Sequence, residues 1–276
     1  MISSSAVKGT PTSYVKKTVV SGFTAGATTG QALRADRNGK IYIGGYGGST
    51  SYGIYNARTN VVSAGLTLTS GNFDGMGWDV DSNGVLYYQN TRAVYAIGGS
   101  YGNTASNIFT ASNSLYSRSL GVTPSGNAIY VQEAGDLKKY SAWSGGTATS
   151  NLILTNTYGN GQLYMATDTL ANVYFGGPSS SGANGVVKVT PGGSSSAYSS
   201  NTYANTGGNA FDWSTLLGIV ATSTGVYQTK PLADTLIASG FTNILGVCID
   251  QSSKVIYVFD YVSGGVGNLV SLSPVF

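Results

Sequence analysis

Histidine, the residue that most often transfers protons in enzymes near neutral pH, does not occur among the 276 residues of this chain. The sequence has one cysteine, Cys248, and a single glutamate, Glu133. Without histidine, general acid–base chemistry near neutral pH needs a carboxylate, lysine or tyrosine with a strongly shifted pKa. The composition therefore predicts a protein that is not an enzyme. We expect Glu133→Gln to be nearly neutral, because the position is interpreted as exposed and close to a loop.

Residues that could hold a metal or a cofactor are also sparse. Zinc needs histidine, cysteine or several convergent carboxylates, and the acidic residues here are scattered along the chain. Cys248 lies in the apolar run 245–249, which is typical of a small buried hydrophobic side chain rather than a reactive thiol. The sequence predicts no metal site and no cofactor.

Tyrosines set among glycine and serine are the strongest binding candidates. Residues 44–52 include Tyr46 and Tyr52, and residues 260–265 include Asp260 and Tyr261. Antibody paratopes use this mixture, in which tyrosine supplies stiff contact area and the small residues adapt. The alternative is a pair of solvated glycine-rich loops. We predict that Tyr46, Tyr52, Asp260 and Tyr261 bind a ligand or partner.

The charge pattern argues against nucleic acid as a partner. The net charge is +3, and the basic residues are scattered, with Lys16-Lys17 and Lys138-Lys139 as the only doublets. No row of cations is available to neutralise a row of phosphates. No apolar run approaches the roughly 18 residues that a membrane helix needs, so membrane insertion is not expected. The opening residues also lack the apolar segment of a secretory signal.

An internal repeat indicates which elements position these residues. The pattern is an apolar strand, a polar turn such as Asp36–Gly39 or Asp81–Gly84, and then apolar-Tyr-apolar. The anchors of the repeat are separated by 45, 43, 44, 45 and 38 residues and are Tyr42, Tyr87, Tyr130, Tyr174, Ile219 and Tyr257. A period of about 40–45 residues with strand-forming sequence is typical of propeller blades. We predict an all-β fold, a six-bladed β-propeller with four-stranded blades, as a single domain over residues 1–276.

The ends of the chain are predicted to meet. The sequence supplies only three strands for the sixth blade after its anchor hairpin begins. Residues 18–23 are closely similar to residues 235–241, the fourth strand of the fifth blade. Donating 18–23 to the last blade would cover an open sheet edge, an arrangement called velcro closure. Residues 1–17 are then an N-terminal arm.

Features present in every blade are interpreted as scaffold. Aromatic residues recur near the end of the fourth strand and are expected to pack between blades. They are Phe23, Phe73, Tyr116, Tyr158, Tyr203 and Phe241. Aspartates recur in the first turn and are expected to bind the turn backbone. They are Asp36, Asp81, Asp168 and Asp250.

Two features depart from the repeat. Arg34 and Asp79 each lie eight residues before an anchor in adjacent blades, and we predict that they pair near the central channel, as a structural ion pair rather than a ligand clamp. The connection between the second and third strands is longer in blades 1, 4 and 6. The extra residues in blades 1 and 6, neighbours in a closed ring, carry the four binding candidates on one rim.

The hairpins 38–43 and 83–87 resemble those of NHL-type and streptogramin-lyase-like six-bladed propellers. That resemblance implies the fold. It would also imply a metal site, built from histidine and glutamate in the lyases or from glutamate and Asn/Asp in the gluconolactonases, for which the lone Glu133 is a weak match. This superfold hosts both enzymes and binding proteins.

The combined interpretation is a non-catalytic binding propeller. Low charge and abundant Gly, Ser, Thr, Asn and Tyr resemble bacteriophage virion surface proteins, which predicts a virion location, with other virion proteins or a host-surface receptor or glycan as partners. Two alternatives remain open: a lectin-like carbohydrate-binding protein of cellular origin, and a metal-dependent lactonase- or lyase-like enzyme.

Overall fold

A computed structural model gives the three-dimensional structure of the chain. It describes residues 10–24, 33–36, 38–45, 50–68, 77–155, 164–176, 185–201, 203, 206–212 and 217–276. Within these residues the strands form six antiparallel sheets of four strands each. The predicted all-β six-bladed propeller is confirmed. No helix in the described ranges is long and apolar enough to cross a membrane.

The first three blades follow the chain in simple order. Blade 1 consists of β2 Leu33–Ala35, β3 Lys40–Gly44, β4 Ser51–Asn56 and β5 Val61–Thr67. Blade 2 consists of β6 Trp78–Val80, β7 Leu86–Asn90, β8 Ala93–Ile97 and β9 Ser106–Thr110. Blade 3 consists of β10 Leu115–Val122, β11 Ala128–Glu133, β12 Asp136–Ser144 and β13 Thr147–Leu154.

The last blade combines both ends of the chain. Blade 4 consists of β14 Tyr164–Thr167, β15 Val173–Gly176, β16 Val186–Val189 and β17 Ser195–Ala197. Blade 5 consists of β18 Thr206–Phe211, β19 Gly218–Thr222, β20 Gly225–Lys230 and β21 Ala233–Ser239. Blade 6 consists of β22 Ile244–Ile249, β23 Ile256–Ser263, β24 Val266–Val275 and, as its outer strand, β1 Ser13–Thr24. The first strands of neighbouring blades contact one another around the ring, with β2 against β22, so these six strands surround the central channel.

The first turns of blades 1, 2, 4 and 6 are built as the sequence predicts. Asp36 Oδ1 accepts hydrogen bonds from the backbone N–H of Asn38 at 2.7 Å and of Lys40 at 3.0 Å. Asp81 and Asp168 bind their own turns in the same way, and Asp250 accepts from the N–H of Ser252. Gly39 has φ +77°, which a residue with a side chain rarely adopts. These local bonds set the register of the hairpin that carries each anchor.

The N-terminal strand β1 pairs antiparallel with β24 from Ser13 opposite Val275 to Thr24 opposite Val266. The predicted segment 18–23 lies inside this strand. The strand begins earlier than predicted, so residues 13–17 belong to the sheet rather than to an arm. Phe23 is buried and stacks on Phe259 with ring centroids 5.2 Å apart, which ties the first strand to the core of blade 6.

The recurrent aromatic side chains that the structure describes are buried. Phe23, Tyr203 and Phe241 are each no more than 7% exposed. They lie in hydrophobic clusters that join neighbouring blades, as Phe23 does with Leu33 and Ile41 of blade 1. Phe73, Tyr158 and the side chain of Tyr116 fall outside the described residues.

The extra residues of blade 6 form sheet rather than a loop. Strands β23 and β24 run on to a two-residue turn at Gly264-Gly265, so Asp260 and Tyr261 lie within β23. The sequence suggested a loop because glycine and serine interrupt the apolar pattern, but pairing with β24 supplies the missing order. In blade 1 strand β3 ends at Gly44 and β4 begins at Ser51, and residues 46–49 of the connection lie outside the described residues. Most of the blade 4 connection lies outside the described residues.

Glu133 is fully buried, which corrects the prediction that it is exposed. It accepts hydrogen bonds from the backbone N–H of Asn113 at 2.7 Å and from the hydroxyl of Tyr140, and the ammonium of Lys138 lies 3.3 Å from Oε2. Burial acts to raise the pKa of Glu133, but these donors outweigh it and hold the pKa below its usual range. The carboxylate therefore stabilises the fold of blade 3.

The first prediction concerns the N-terminal strand. Phe23→Ala removes a buried ring that stacks on Phe259, so the free energy of unfolding should fall by about 3–5 kcal/mol. Val15→Ala on the same strand is the matched control, because Val15 is 58% exposed and its loss should change stability by no more than about 0.5 kcal/mol. Urea unfolding measures both. Equal stability of the two variants would show that β1 does not anchor blade 6.

The second prediction concerns Glu133. Glu133→Gln should lower the free energy of unfolding by about 1–3 kcal/mol at neutral pH, because charge-assisted hydrogen bonds become neutral ones. The folded-state pKa is lowered, so this contribution is present above the unfolded pKa of about 4.3 and is lost as pH falls through the folded pKa. The difference between wild type and variant should therefore shrink in acid. Unfolding curves at neutral and acid pH check this, and a difference that grows in acid would refute it.

Candidate functional site

One position of the repeat pairs with the anchor of its blade across the first hairpin. The residues at this position are Arg34, Asp79, Gly121, Ala166, Ala210 and Cys248. All of them except Gly121 line one cavity between the first strands of the blades. Four of the six are uncharged, and blades 1 and 2 alone place charged side chains there. The channel is therefore symmetric in backbone and asymmetric in chemistry.

Arg34 and Asp79 form the predicted ion pair. The Nε atom of Arg34 lies 3.0 Å from Oδ1 of Asp79, and both side chains are nearly buried, at 9% and 13% exposure. The strands β2 and β6 hold them through backbone pairing of Arg34 with Tyr42 and of Asp79 with Tyr87. Removing either partner of such a buried pair would leave an uncompensated charge, which is strongly destabilising.

The carboxylate of Asp79 is held by the backbone of two blades. Oδ1 accepts from the N–H of Val80 at 2.9 Å, and Oδ2 accepts from the N–H of Val122 in blade 3 at 2.9 Å. Burial raises the pKa of Asp79, while the charge of Arg34 and the two N–H donors lower it, and the net shift is upward. A carboxylate with a raised pKa is suited to acid–base chemistry.

The guanidinium of Arg34 has hydrogen-bonding capacity left over. Nη1 donates to the carbonyl oxygen of Leu33 at 2.8 Å, and the group lies 5.5 Å from the ring centroid of Trp78. Nη2 is buried and has no hydrogen-bond partner among the described residues. An unsatisfied buried donor is costly, so a ligand oxygen or a water next to Nη2 would be favourable.

The cavity beside this pair has a volume of about 50 Å³. That is room for a few water molecules or one small functional group. Polar side chains reach it from other blades, namely Thr167 of blade 4, Asn209 of blade 5 and Gln251 of blade 6. Cys248 also lines it and is buried, as predicted, and burial raises the pKa of its thiol well above the usual range. The cavity thus combines one carboxylate, one guanidinium and neutral polar groups.

The donor set of this cavity does not fit a metal site. Asp79 is the one carboxylate among the described lining residues, and its charge is already paired with Arg34. The described residues contain no cluster of three or more His, Cys, Asp or Glu side chains. Glu133, the weak match to a gluconolactonase metal ligand, does not line the cavity and is bound to Tyr140 and Lys138.

The four predicted binding residues do not form one exposed patch. Tyr46 lies outside the described residues. Tyr52 is 4% exposed and packs against Tyr42, with centroids 5.9 Å apart, so the expectation that it projects from a rim is wrong. Asp260 is buried and accepts from the N–H groups of Thr242 and Asn243. Tyr261 is partly buried, and its hydroxyl accepts from the N–H of Gly265. Their role in binding stays a prediction.

Thr167, Asn209 and Gln251 were missed by the sequence analysis. A signal for them existed in the register, because each lies within three residues of the position that pairs with its anchor. Thr167 follows Ala166 by one residue, Asn209 precedes Ala210 by one, and Gln251 follows Cys248 by three. Extending the comparison of blades from the anchor to this whole segment would have found them.

Several solved structures have a fold similar to that of this chain. A gluconolactonase, XC5397 from Xanthomonas campestris, aligns with 96% of this chain and 90% of its own, at 12% identity and a TM-score of 0.68. A streptogramin B lyase aligns with 97% of this chain and all of its own, at 8% identity and a TM-score of 0.59. A Bacteroides thetaiotaomicron protein of unknown function aligns with 95% and 76%, at 12% identity and a TM-score of 0.65.

No family model and no curated protein sequence matches the chain. These neighbours contradict the prediction that the chain is not an enzyme. Two of them are enzymes, and their structures align with 96% and 97% of this chain. The lack of histidine was an insufficient reason, because a buried carboxylate beside a guanidinium can serve in its place. At these identities the likeness itself shows that this chain shares the six-bladed propeller fold of a gluconolactonase and a streptogramin lyase.

Proposed function

We propose that this protein is an enzyme that hydrolyses a small oxygen-rich cyclic ester, of the sugar lactone class, at the channel cavity. The observation that carries the proposal is the pair Arg34–Asp79, the two charged residues among the six that pair with the anchors. A propeller needs no charge there to fold, since the other four blades use glycine, alanine or cysteine at the same position. The gluconolactonase neighbour supports the substrate class, because its fold covers the same length of chain.

The two side chains have complementary roles in such a reaction. Asp79 Oδ2 accepts one hydrogen bond, from Val122, and retains a lone pair for the proton of an attacking water. As the water oxygen bonds to the ester carbon, that proton moves to Asp79. Arg34 donates to the carbonyl oxygen and stabilises its negative charge. The intermediate collapses when the ring oxygen leaves with the proton from Asp79, and the product is an open-chain hydroxy acid.

The surroundings of the pair favour Asp79 as the base and Arg34 as the oxyanion donor. The low-polarity walls formed by Val122, Phe211 and Ile249 strengthen the field between guanidinium and developing oxyanion. The same burial keeps the pKa of Asp79 above its ordinary range, which makes it a stronger base once ionised. A volume of about 50 Å³ holds the ester group and water but not a whole sugar ring, so the rest of the substrate would extend toward the open end of the cavity.

A virion surface location, with virion proteins or a host receptor or glycan as partners, is a separate proposal that rests on composition alone. Copurification of the protein with particles tests it. The outcome does not bear on the channel chemistry.

The third prediction is that Asp79→Asn removes hydrolysis of glucono-1,5-lactone. The rate should fall by about 100-fold or more, the usual contribution of a positioned general base. In the wild type the rate should rise with pH through the raised pKa of Asp79, because the ionised form is the base. A pH-indicator assay on purified protein, corrected for spontaneous hydrolysis, measures both.

Lys254→Gln is the matched control for this experiment. It breaks another ion pair, Lys254–Asp212 at 2.7 Å, which does not line the cavity. This variant should have a lower melting temperature than the wild type. At temperatures where it is still folded, its catalytic rate should equal that of the wild type. A wild-type protein with no rate above background on any of a panel of aldonolactones would refute the proposal, and so would a folded Asp79→Asn protein that keeps its activity.

A further inference from the structure

A second cleft lies away from the channel, between blades 2 and 3. We call it the aromatic cleft and define it by Asp81, Asn83, Ser100, Tyr101, Ser125 and Trp143. Its volume is about 350 Å³, within the range of about 300–1,000 Å³ that is usual for small-molecule sites. None of these residues lines the channel cavity. The two sites are therefore independent in structure.

Both aromatic walls of the cleft come from departures from the repeat. Tyr101 ends a short 3-10 helix, Gly99–Tyr101, within a connection between β8 and β9 that is longer than its counterparts in blades 1, 3, 4 and 5. Trp143 lies in the extended hairpin of β12 and β13 in blade 3. A feature that packs blades together would recur in other blades. These two do not recur, and besides packing against the core of blades 2 and 3 they line the cleft.

Hydrogen bonds and ring contacts fix the aromatic walls in place. The indole Nε1 of Trp143 donates to the hydroxyl of Tyr101 at 3.0 Å. The ring of Trp143 meets Tyr87 edge to face with centroids 6.2 Å apart. The hydroxyl of Tyr87 donates to Oδ2 of Asp81 at 3.3 Å, at the base of the cleft. Because these contacts hold the walls, a ligand entering here would not have to order them.

The glycines around the helix make this arrangement possible. Gly98 and Gly102 have φ of +86° and +68°, and they close the segment through a hydrogen bond from Gly98 N–H to Gly102 O of 2.8 Å. A Cβ at Gly99 would lie 2.6 Å from a methyl group of Val85, so glycine lets the helix approach blade 2 closely. The short helix therefore places Tyr101 opposite Trp143 of the neighbouring blade.

The chemistry of the cleft matches a neutral saccharide. Tyr101 and Trp143 are only partly buried and offer aromatic surface to the C–H faces of a sugar ring. Asn83, Ser100 and Ser125 are exposed at its edge and supply amide and hydroxyl groups for sugar hydroxyls. The one charged residue in the lining is the carboxylate of Asp81. A negative potential favours hydroxyl donors and disfavours acidic ligands.

We propose that the aromatic cleft between blades 2 and 3 binds the pyranose ring of a neutral saccharide, separately from the channel. A proline-rich peptide could also use aromatic surface, but it has few hydrogen-bond donors to match the oxygen atoms at the rim. The site differs from the rim around Tyr52 and Tyr261 that the sequence suggested. It does not depend on the reaction proposed for Arg34 and Asp79.

The experiment is binding of the purified wild-type protein to a printed array of neutral mono- and oligosaccharides, followed by calorimetric titration of the best ligand. Trp143→Ala should weaken binding about tenfold or more, as expected when a central aromatic contact is lost. Tyr227→Ala is the matched control, since Tyr227 is an aromatic side chain of similar partial burial on blade 5 and lines neither the channel cavity nor the aromatic cleft. It should change the dissociation constant by less than about twofold.

A second variant covers the case in which Trp143→Ala unfolds. Asn83→Ala combined with Ser100→Ala changes exposed positions and should leave the melting temperature unchanged while weakening binding about threefold or more. Absence of binding to every neutral saccharide on the array would overturn the proposal. Unchanged binding by folded cleft variants, or loss of binding in Tyr227→Ala, would overturn it as well.

Discussion

The pairing of β1 with β24 is the interaction on which the rest of the ring depends. It joins residues at opposite ends of the chain, and the hydrogen bond from the Thr12 hydroxyl to the Val275 carbonyl spans a sequence separation of 263. Such a long-range contact carries a large loop-closure entropy. It is offset by a long antiparallel ladder and by the stacking of Phe23 on Phe259. Once blade 6 is complete, β22 is fixed against β2, and the six first strands can converge on one channel.

Local chemistry made most of this fold predictable. The Asp-Asn-Gly turns specify their own hairpins through bonds within four residues, so the sequence shows them directly. The anchors Tyr42 and Tyr87 follow those turns at fixed spacing and are buried as expected. The pairing of residues 18–23 with the last blade was predictable because one blade lacked a strand and the segment copies another.

The candidate site was only partly predictable, because burial of side chains depends on partners across strands. Tyr52 was interpreted as a loop residue among glycines. In the structure its ring lies over Gly65 of the neighbouring strand, which has no side chain to block it. Phe259 lies over Gly267 in the same manner. Gly65 and Gly267 are thus strand positions on which aromatic rings pack, and the sequence pattern alone does not show this. The pairing of Arg34 and Asp79 was predictable, since both lie at the same register of adjacent blades, but the convergence of Thr167, Asn209 and Gln251 on it required the closed ring.

The channel pair connects the fold to the proposed chemistry, since the adjacent blades 1 and 2 place a guanidinium and a carboxylate of raised pKa in the cavity that the closed ring surrounds. The most direct test of that claim is a crystal structure of the protein soaked with a hydrolysis-resistant lactone analogue, such as a lactam. We expect density in the channel cavity, with the analogue's carbonyl oxygen within hydrogen-bonding distance of the Arg34 guanidinium and next to Asp79. An analogue bound only elsewhere, with the Arg34–Asp79 pair untouched, would contradict it.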